Sequence, residues 1–162
     1  MSITIHSVAL RPMGSADMQF LLELYATTRA DELALVDWTV EQKAAFVQHQ
    51  FAAQHAHWQE NYTDTSWDII VSEDRPIGRL YVARWQDEIR IVDIALLPEH
   101  RGAGIGTALM RSLFDEADES GRKVTVHVEV FNPARRLYER LGFVPAAEVG
   151  VYLLMERLPQ AA

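Results

Sequence analysis

Between Ile91 and Thr107 the chain groups the residues best suited to chemistry. A strand-like run, Ile91-Val-Asp-Ile-Ala-Leu-Leu97, ends at Pro98 and is followed by Arg101-Gly102-Ala103-Gly104-Ile105-Gly106-Thr107. Glycines at alternate positions let the backbone take positive φ and let a ligand approach where no Cβ intervenes. The helix opened by this loop offers unpaired N–H groups and the positive end of its dipole. Together these make a pyrophosphate site built from peptide groups. Each dipole contact is worth about 0.3–1 kcal/mol at an exposed site, so several must act together. The alternative is a glycine-rich turn that only leads a strand into a helix. Both nucleotide fingerprints fail: no Lys follows the glycines as a P-loop requires, and the spacing is Gly-x-Gly-x-Gly rather than Gly-x-Gly-x-x-Gly.

A second constellation follows at Asn132-Pro-Ala-Arg135-Arg136-Leu-Tyr138-Glu-Arg-Leu-Gly142-Phe143. Both segments resemble motifs of the GNAT superfamily, the acyl-CoA N-acyltransferases. Arg101-Gly102-Ala103-Gly104-Ile105-Gly106 after Leu96-Leu97-Pro98 matches its Arg/Gln-x-x-Gly-x-Gly/Ala signature. Asn132 to Phe143 is similar to its Asn-…-Ala-…-Tyr-Glu-x-x-Gly-Phe element.

The resemblance implies an acetyl-CoA co-substrate and no metal. Pantetheine would pair with the backbone of Ile94, Ala95 and Leu96. The peptides of Gly102, Ala103, Gly104, Ile105, Gly106 and Thr107 would cradle the diphosphate, with Arg101 as an added cation. Arg135 and Arg136 are candidates for the 3′-phosphate, with a solvated helix face as the equal alternative. Asn132 resembles the family's coenzyme-contacting Asn, although an Asn before Pro is also a good helix cap. Tyr138 resembles the general acid: the leaving thiolate belongs to a thiol of pKa about 8.5 and needs a proton. The oxyanion would be held by a strand N–H such as that of Leu96. For the base, Asp93, His127 and Glu129 stand on the two strands beside the cleft; Glu129 and Asp93 rank level, and His127 reads equally as a satisfied sheet histidine.

Tyr25, Arg29, Glu32, Trp38 and His55 are amphipathic or charged groups on or beside apolar stripes. They either pair with one another or shape the acceptor pocket. In the second case Glu32 would bind an ammonium and Arg29 a carboxylate, as for an amino-acid-like or peptide acceptor. His49, His55 and His57 lack the spacing of a metal site.

These groups need a scaffold. Ser2–Leu10 alternates Ile3, Ile5 and, with a slip, Val8 and Leu10, and stops at Pro12, as a strand. Ser15 is placed to cap a helix striped by Met18, Leu21, Leu22 and Tyr25. Thr39-Val-Glu-Gln42 is a capping box opening a helix striped by Val40, Ala44, Val47, Phe51, His55 and Trp58. Three strands, Trp67–Ser72, Ile77–Trp85 and Glu88–Leu97, are joined by the short turns Glu73-Asp-Arg-Pro76 and Gln86-Asp87, as a meander. A helix over Gly104–Glu119 is closed by Gly121. Then come a strand at Lys123–Val130, a helix from Asn132 to Leu141, and a final strand, Gly150–Leu158. The fold expected is α+β, an α/β/α sandwich: a mixed, mostly antiparallel six- to seven-stranded sheet with about four helices, in one N-acetyltransferase domain over residues 1–162.

The 162 residues are 49% hydrophobic and 23% charged, ordinary globular usage, with no cysteine. The absence of cysteine excludes disulfides, thiolate metal sites and a cysteine acyl carrier, so an acyl transfer would proceed by direct attack in a ternary complex. The net charge of −8 disfavours a broad electrostatic grip on nucleic acid or an anionic membrane. No apolar run approaches the roughly 20 residues of a membrane span, and the N-terminus lacks the basic and apolar regions of a signal peptide; a cytoplasmic protein is expected. The partner expected is a small-molecule or peptide amine. A homodimer is plausible through the final strand, taken as an exposed edge. Two rivals stand beside acetyl transfer to a primary amine: a non-catalytic acyl-CoA-binding regulatory or interaction domain, against which Tyr138 argues, and a nucleotide-dependent phosphotransferase, against which the missing Lys argues.

Overall fold

A computed structural model describes residues 8–161. The strands are β1 (Val8–Pro12), β2 (Thr65–Ser72), β3 (Arg75–Arg84), β4 (Glu88–Leu96), β5 (Lys123–Glu129), β6 (Val144–Val149) and β7 (Tyr152–Arg157). The helices are α1 (Met18–Ala34), α2 (Val40–Asn61), α3 (Ile105–Ser120) and α4 (Ala134–Arg140). The strands form one mixed sheet in the order β1-β2-β3-β4-β5-β7-β6. β1–β2, β5–β7 and β6–β7 are antiparallel, whereas β4 and β5 run parallel. This is the α+β architecture expected. No helix among the described residues is long and apolar enough to cross a membrane.

The chain folds as two compact units. One holds the chain up to Thr63 with Trp67–Leu80 and Ala95–Ile105. Its core joins Leu21, Tyr25, Val47, Phe51 and Ile69, with Met18, Leu22 and Val71 packed against them. The other holds Asp64–Ser66, Tyr81–Ile94 and the chain from Gly106 onward. In it α3 buries Met110, Leu113, Phe114 and Ala117, and β5 buries Val124, Val126 and Val128. Phe143 meets the Phe114 ring edge-on at 5.7 Å.

Local chemistry explains most boundaries. The Thr39 hydroxyl accepts the Gln42 N–H at 3.1 Å while the Gln42 side chain accepts the Thr39 N–H at 2.9 Å, the reciprocal cap expected. Gly121 closes α3 at φ +69.

Several expectations need correction. α1 is not capped by Ser15, which lies in a short helical turn (Ser15–Asp17) ahead of it; the Asp17 carboxylate accepts the Gly14 N–H at 2.8 Å and is bridged by Arg11 at 2.8 Å. Val40, placed on the apolar stripe of α2, is 79% exposed. β1 runs through Pro12, which an edge strand tolerates because its lost N–H faces no partner; Ile3 and Ile5 lie outside the described residues. The turn between β2 and β3 is Glu73-Asp74 alone, both at positive φ (50° and 64°), so Arg75 and Pro76 already belong to β3. β6 was not foreseen: it is exposed along its whole length and shows no alternation. It pairs with β7, so the final strand lies between β5 and β6 and is not the edge on which the dimer argument relied.

Candidate active site

The parallel ladder between β4 and β5 runs from Glu88↔Lys123 to Ile91↔Val126 and stops there. Both strands continue, β4 to Leu96 and β5 to Glu129. Strands that continue beyond their ladder leave peptide N–H and C=O groups to be satisfied by something else. Ile94, expected to pair with pantetheine, lies on this continuing part of β4.

Beyond β4 a short helical turn over Pro98–His100 leads into the glycine loop. Gly102 and Gly104 stand at φ +77 and +84, and a β-carbon on either would meet nothing within 4 Å. The loop is therefore open on its outer side, and its left-handed turns suit glycine. Gly106 already has helical backbone, and a β-carbon there would lie 3.8 Å from Ile94 Cδ1. Ala103 is exposed, Thr107 half-buried, and Ile105 buried at the start of α3. The Arg101 guanidinium is not loose in solvent: Nε donates to the Leu96 carbonyl at 2.9 Å and Nη2 to the Thr27 hydroxyl at 3.2 Å.

Sequence reasoning passed over Gly78 on β3. A β-carbon there would run into the Ala95 carbonyl oxygen and lie 2.9 Å from Leu96 Cδ2. A glycine inside a strand pattern is the signal that marks such a close backbone approach.

Tyr138 on α4 is 8% exposed, with Phe143 edge-on at 5.5 Å. Burial, and after it the negative charge of Asp93, pushes its phenol up to about 12. The ring is thus held protonated at neutral pH. Glu129 and His127 alternate with the buried Val124, Val126 and Val128 along β5. Of the two candidate bases that the sequence ranks level, Asp93 is the one whose charge reaches Tyr138.

His127 lies against a buried network. Arg90 donates to Thr125 at 2.6 Å, to Glu88 at 3.3 Å and to His127 Nδ1 at 3.3 Å. Arginine has no acceptor, so Nδ1 accepts and the neutral ring carries its proton on Nε2. Partial burial and the Arg90 charge hold this imidazole below its ordinary pKa. On the loop before α4, the Asn132 side-chain oxygen accepts the Ala134 N–H at 2.8 Å, which is the capping role. Arg135 pairs with Glu139 at 3.7 Å, and Arg136 is exposed.

The acceptor candidates fall into separate groups. Tyr25, Arg29 and Glu32 form one chain: Arg29 donates to the Tyr25 hydroxyl at 2.9 Å and through Nη1 to both Glu32 oxygens at 3.0 and 2.9 Å. Trp38 packs edge-on against Phe46 at 5.4 Å. His55 stacks on Phe51 at 5.9 Å, and burial with the nearby Arg79 charge lowers its pKa.

Residues 30–143 match the model of the acetyltransferase (GNAT) family. The [ribosomal protein bS18]-alanine N-acetyltransferase of Haemophilus influenzae is 29% identical over 107 residues, which are 65% of this chain and 71% of that protein. A putative enzyme of the same name from Bacillus subtilis is 27% identical over 141 residues, 85% of this chain and 81% of its own. Among solved structures, the PaiA N-acetyltransferase of Thermoplasma acidophilum in complex with coenzyme A superposes with a TM-score of 0.70 at 16% identity, over 94% of this chain and 99% of that one. At that identity the likeness is one of fold.

Proposed function

The chain belongs to the acetyltransferase (GNAT) family, and from that premise we propose that it transfers an acetyl group from acetyl-CoA to the primary amine of a peptide or small molecule, by direct attack in a ternary complex. The whole chain acts as a single N-acetyltransferase domain in this reading. The observation that carries it is Tyr138: a buried phenol kept protonated beside Asp93 serves a leaving thiolate, and a module that only binds coenzyme has no use for it.

The backbone of Ile94 pairs with pantetheine, while Ala95 turns its carbonyl toward β3 and Leu96 keeps its N–H for the thioester oxygen; the peptides of Gly102 to Thr107 hold the diphosphate. Asn132 is a further coenzyme contact. The amine first loses a proton to Glu129, directly or through water. Its nitrogen then attacks the thioester carbonyl, and the oxygen, now negative, is held by the Leu96 N–H. When the C–S bond breaks, the thiolate takes the Tyr138 proton. A phenol near 12 does not part permanently with a proton to a thiolate of a thiol near about 8.5. Tyr138 therefore acts as a relay: as it gives its proton to sulfur it receives one from the cationic nitrogen of the adduct, leaving a neutral amide and a thiol. Asp93 contributes by keeping Tyr138 protonated.

The alanine N-acetyltransferases among its relatives favour an α-amino acceptor, and chemistry agrees. An α-amine has a pKa of about 7.7–8.0 against about 10.4 for a lysine side chain, so a carboxylate base needs to do far less. Thiol release from acetyl-CoA, measured against a panel of an alanine-terminated peptide, free amino acids and polyamines, tests the function. Stimulation is expected with an α-amine. Tight acetyl-CoA binding with no stimulation by any amine would instead support the non-catalytic coenzyme-binding alternative.

A further inference from the structure

We infer that Arg101 is a positioning residue: its guanidinium sets the last peptides of β4, and it is not a cation for the diphosphate. The inference deepens the reading above and rests on it for the role of the Leu96 N–H.

The geometry follows from peptide stereochemistry. All peptides among the described residues are trans, so the N–H and C=O of each point in opposite directions. The Leu97 N–H donates to the Ile77 carbonyl on β3 at 2.8 Å. The carbonyl of that same peptide, Leu96 C=O, therefore turns away from β3, where Arg101 Nε captures it at 2.9 Å. One peptide earlier the arrangement is reversed. The Ala95 carbonyl turns toward β3, into the space left by the missing side chain of Gly78, so the Leu96 N–H turns away from β3.

Leu96 thus presents both of its polar groups on the side away from β3, and Arg101 occupies one of them. An oxygen that becomes negative is attracted by the N–H and repelled by the lone pairs of a neighbouring carbonyl. By taking up the carbonyl, Arg101 leaves a surface dominated by the donor. The guanidinium is itself anchored: Nη2 donates to the Thr27 hydroxyl at 3.2 Å, and that hydroxyl donates to the Leu24 carbonyl on α1 at 2.7 Å. This ties the first residue of the glycine loop back to the strand it follows.

The test compares two acyl donors, acetyl-CoA and S-acetylpantetheine, which lacks the diphosphate. Arg101→Ala is expected to lower kcat by about tenfold to a hundredfold, by the same factor with both donors. Arg101→Gln, whose neutral amide can still donate to the Leu96 carbonyl, should recover most of the loss, and Arg101→Lys less. The inference is overturned if the Ala variant raises KM for acetyl-CoA alone, spares S-acetylpantetheine, and is restored by Lys rather than Gln, the pattern of a phosphate cation. Should Arg101→Ala fold poorly, Thr27→Val removes only the anchor; a kcat decrease equal for both donors supports the clamp and unchanged kinetics refutes it. The amide resonance of Leu96 supplies a reading that needs no turnover: it should move in Arg101→Ala and stay near its native position in Arg101→Gln. A native protein that acetylates no amine would sink the functional proposal, while the Leu96 resonance would still decide the clamp.

Discussion

The carbonyl oxygen of Ala95 occupies the space that a side chain on Gly78 would need. Backbone meets backbone there, so no rotamer change relieves the clash. Gly78→Ala must therefore push β3 and the end of β4 apart. Overpacking of this kind costs about 1–3 kcal/mol. We expect a lowered Tm in thermal unfolding and a kcat that falls more than stability alone explains, because the displaced peptide carries the Leu96 N–H. A Gly78→Ala variant with native Tm and native kcat would show that the approach is looser than described.

The glycines of the loop should separate into two kinds. Gly102→Ala and Gly104→Ala place a β-carbon on backbone at φ +77 and +84, which costs about 1–2 kcal/mol each whatever the space around them. Gly106→Ala instead adds a β-carbon to helical backbone at ordinary contact distance from Ile94, and should gain about 0.5–1 kcal/mol. Chemical denaturation of the three variants checks the sign of each change. Acetyl-CoA titration should show KM raised in the first two and nearly unchanged in the third.

Tyr138→Phe removes the proton relay but keeps the ring against Phe143, so the fold should persist while kcat drops by about 100-fold, within the usual range for a general acid–base group. Asp93→Asn removes a charge that raises the Tyr138 pKa. Ionisation then becomes easier, and the alkaline limb of the kcat–pH profile should move to lower pH. It should not reach the value of a free tyrosine, because burial is the larger cause of the shift. An alkaline limb that does not move would separate Asp93 from Tyr138.

Stability should fall in two stages as pH falls. His55 and His127 have depressed pKa values in the folded protein, mainly through burial. Their neutral forms favour folding, and that contribution begins to be lost below about pH 6.5, where an unfolded histidine takes a proton. The second stage belongs to carboxylates held low by arginine partners: Asp17 by Arg11, Glu116 by Arg84 and Asp118 by Arg157. Their contribution is present above the ordinary carboxylate range and disappears below about pH 4. Unfolding midpoints in urea from pH 8 to pH 3 should trace both stages, and His55→Gln should flatten the first.

Asp118 accepts from both terminal nitrogens of the buried Arg157, at 3.0 and 3.3 Å, while that guanidinium lies 4.4 Å from the centre of the Phe114 ring. Asp118→Asn leaves a buried cation with a weaker partner, and should cost about 1–3 kcal/mol at pH 7. The difference should shrink as the pH falls below the ordinary carboxylate range and the native Asp118, held low by Arg157, takes up its own proton.

The local chemistry of the chain was legible before any fold was known. The glycines after Pro98, the Thr39–Gln42 cap and the Gly121 stop each act over a few residues, so spacing alone identifies them. Tyr138 came instead from the resemblance of Asn132 to Phe143 to the family's motif, since its spacing alone reads equally as a core tyrosine. β6 escaped because it buries no face: a fully exposed edge strand has no alternation to betray it. What tertiary structure alone decided are relations between residues far apart in the chain. Only the fold could show that Gly78 makes room for Ala95, that Arg101 turns back onto Leu96, and that the charge of Asp93 reaches Tyr138. Those relations depend on strand register and peptide orientation, which shift with a single residue of slip and leave no periodicity in the sequence.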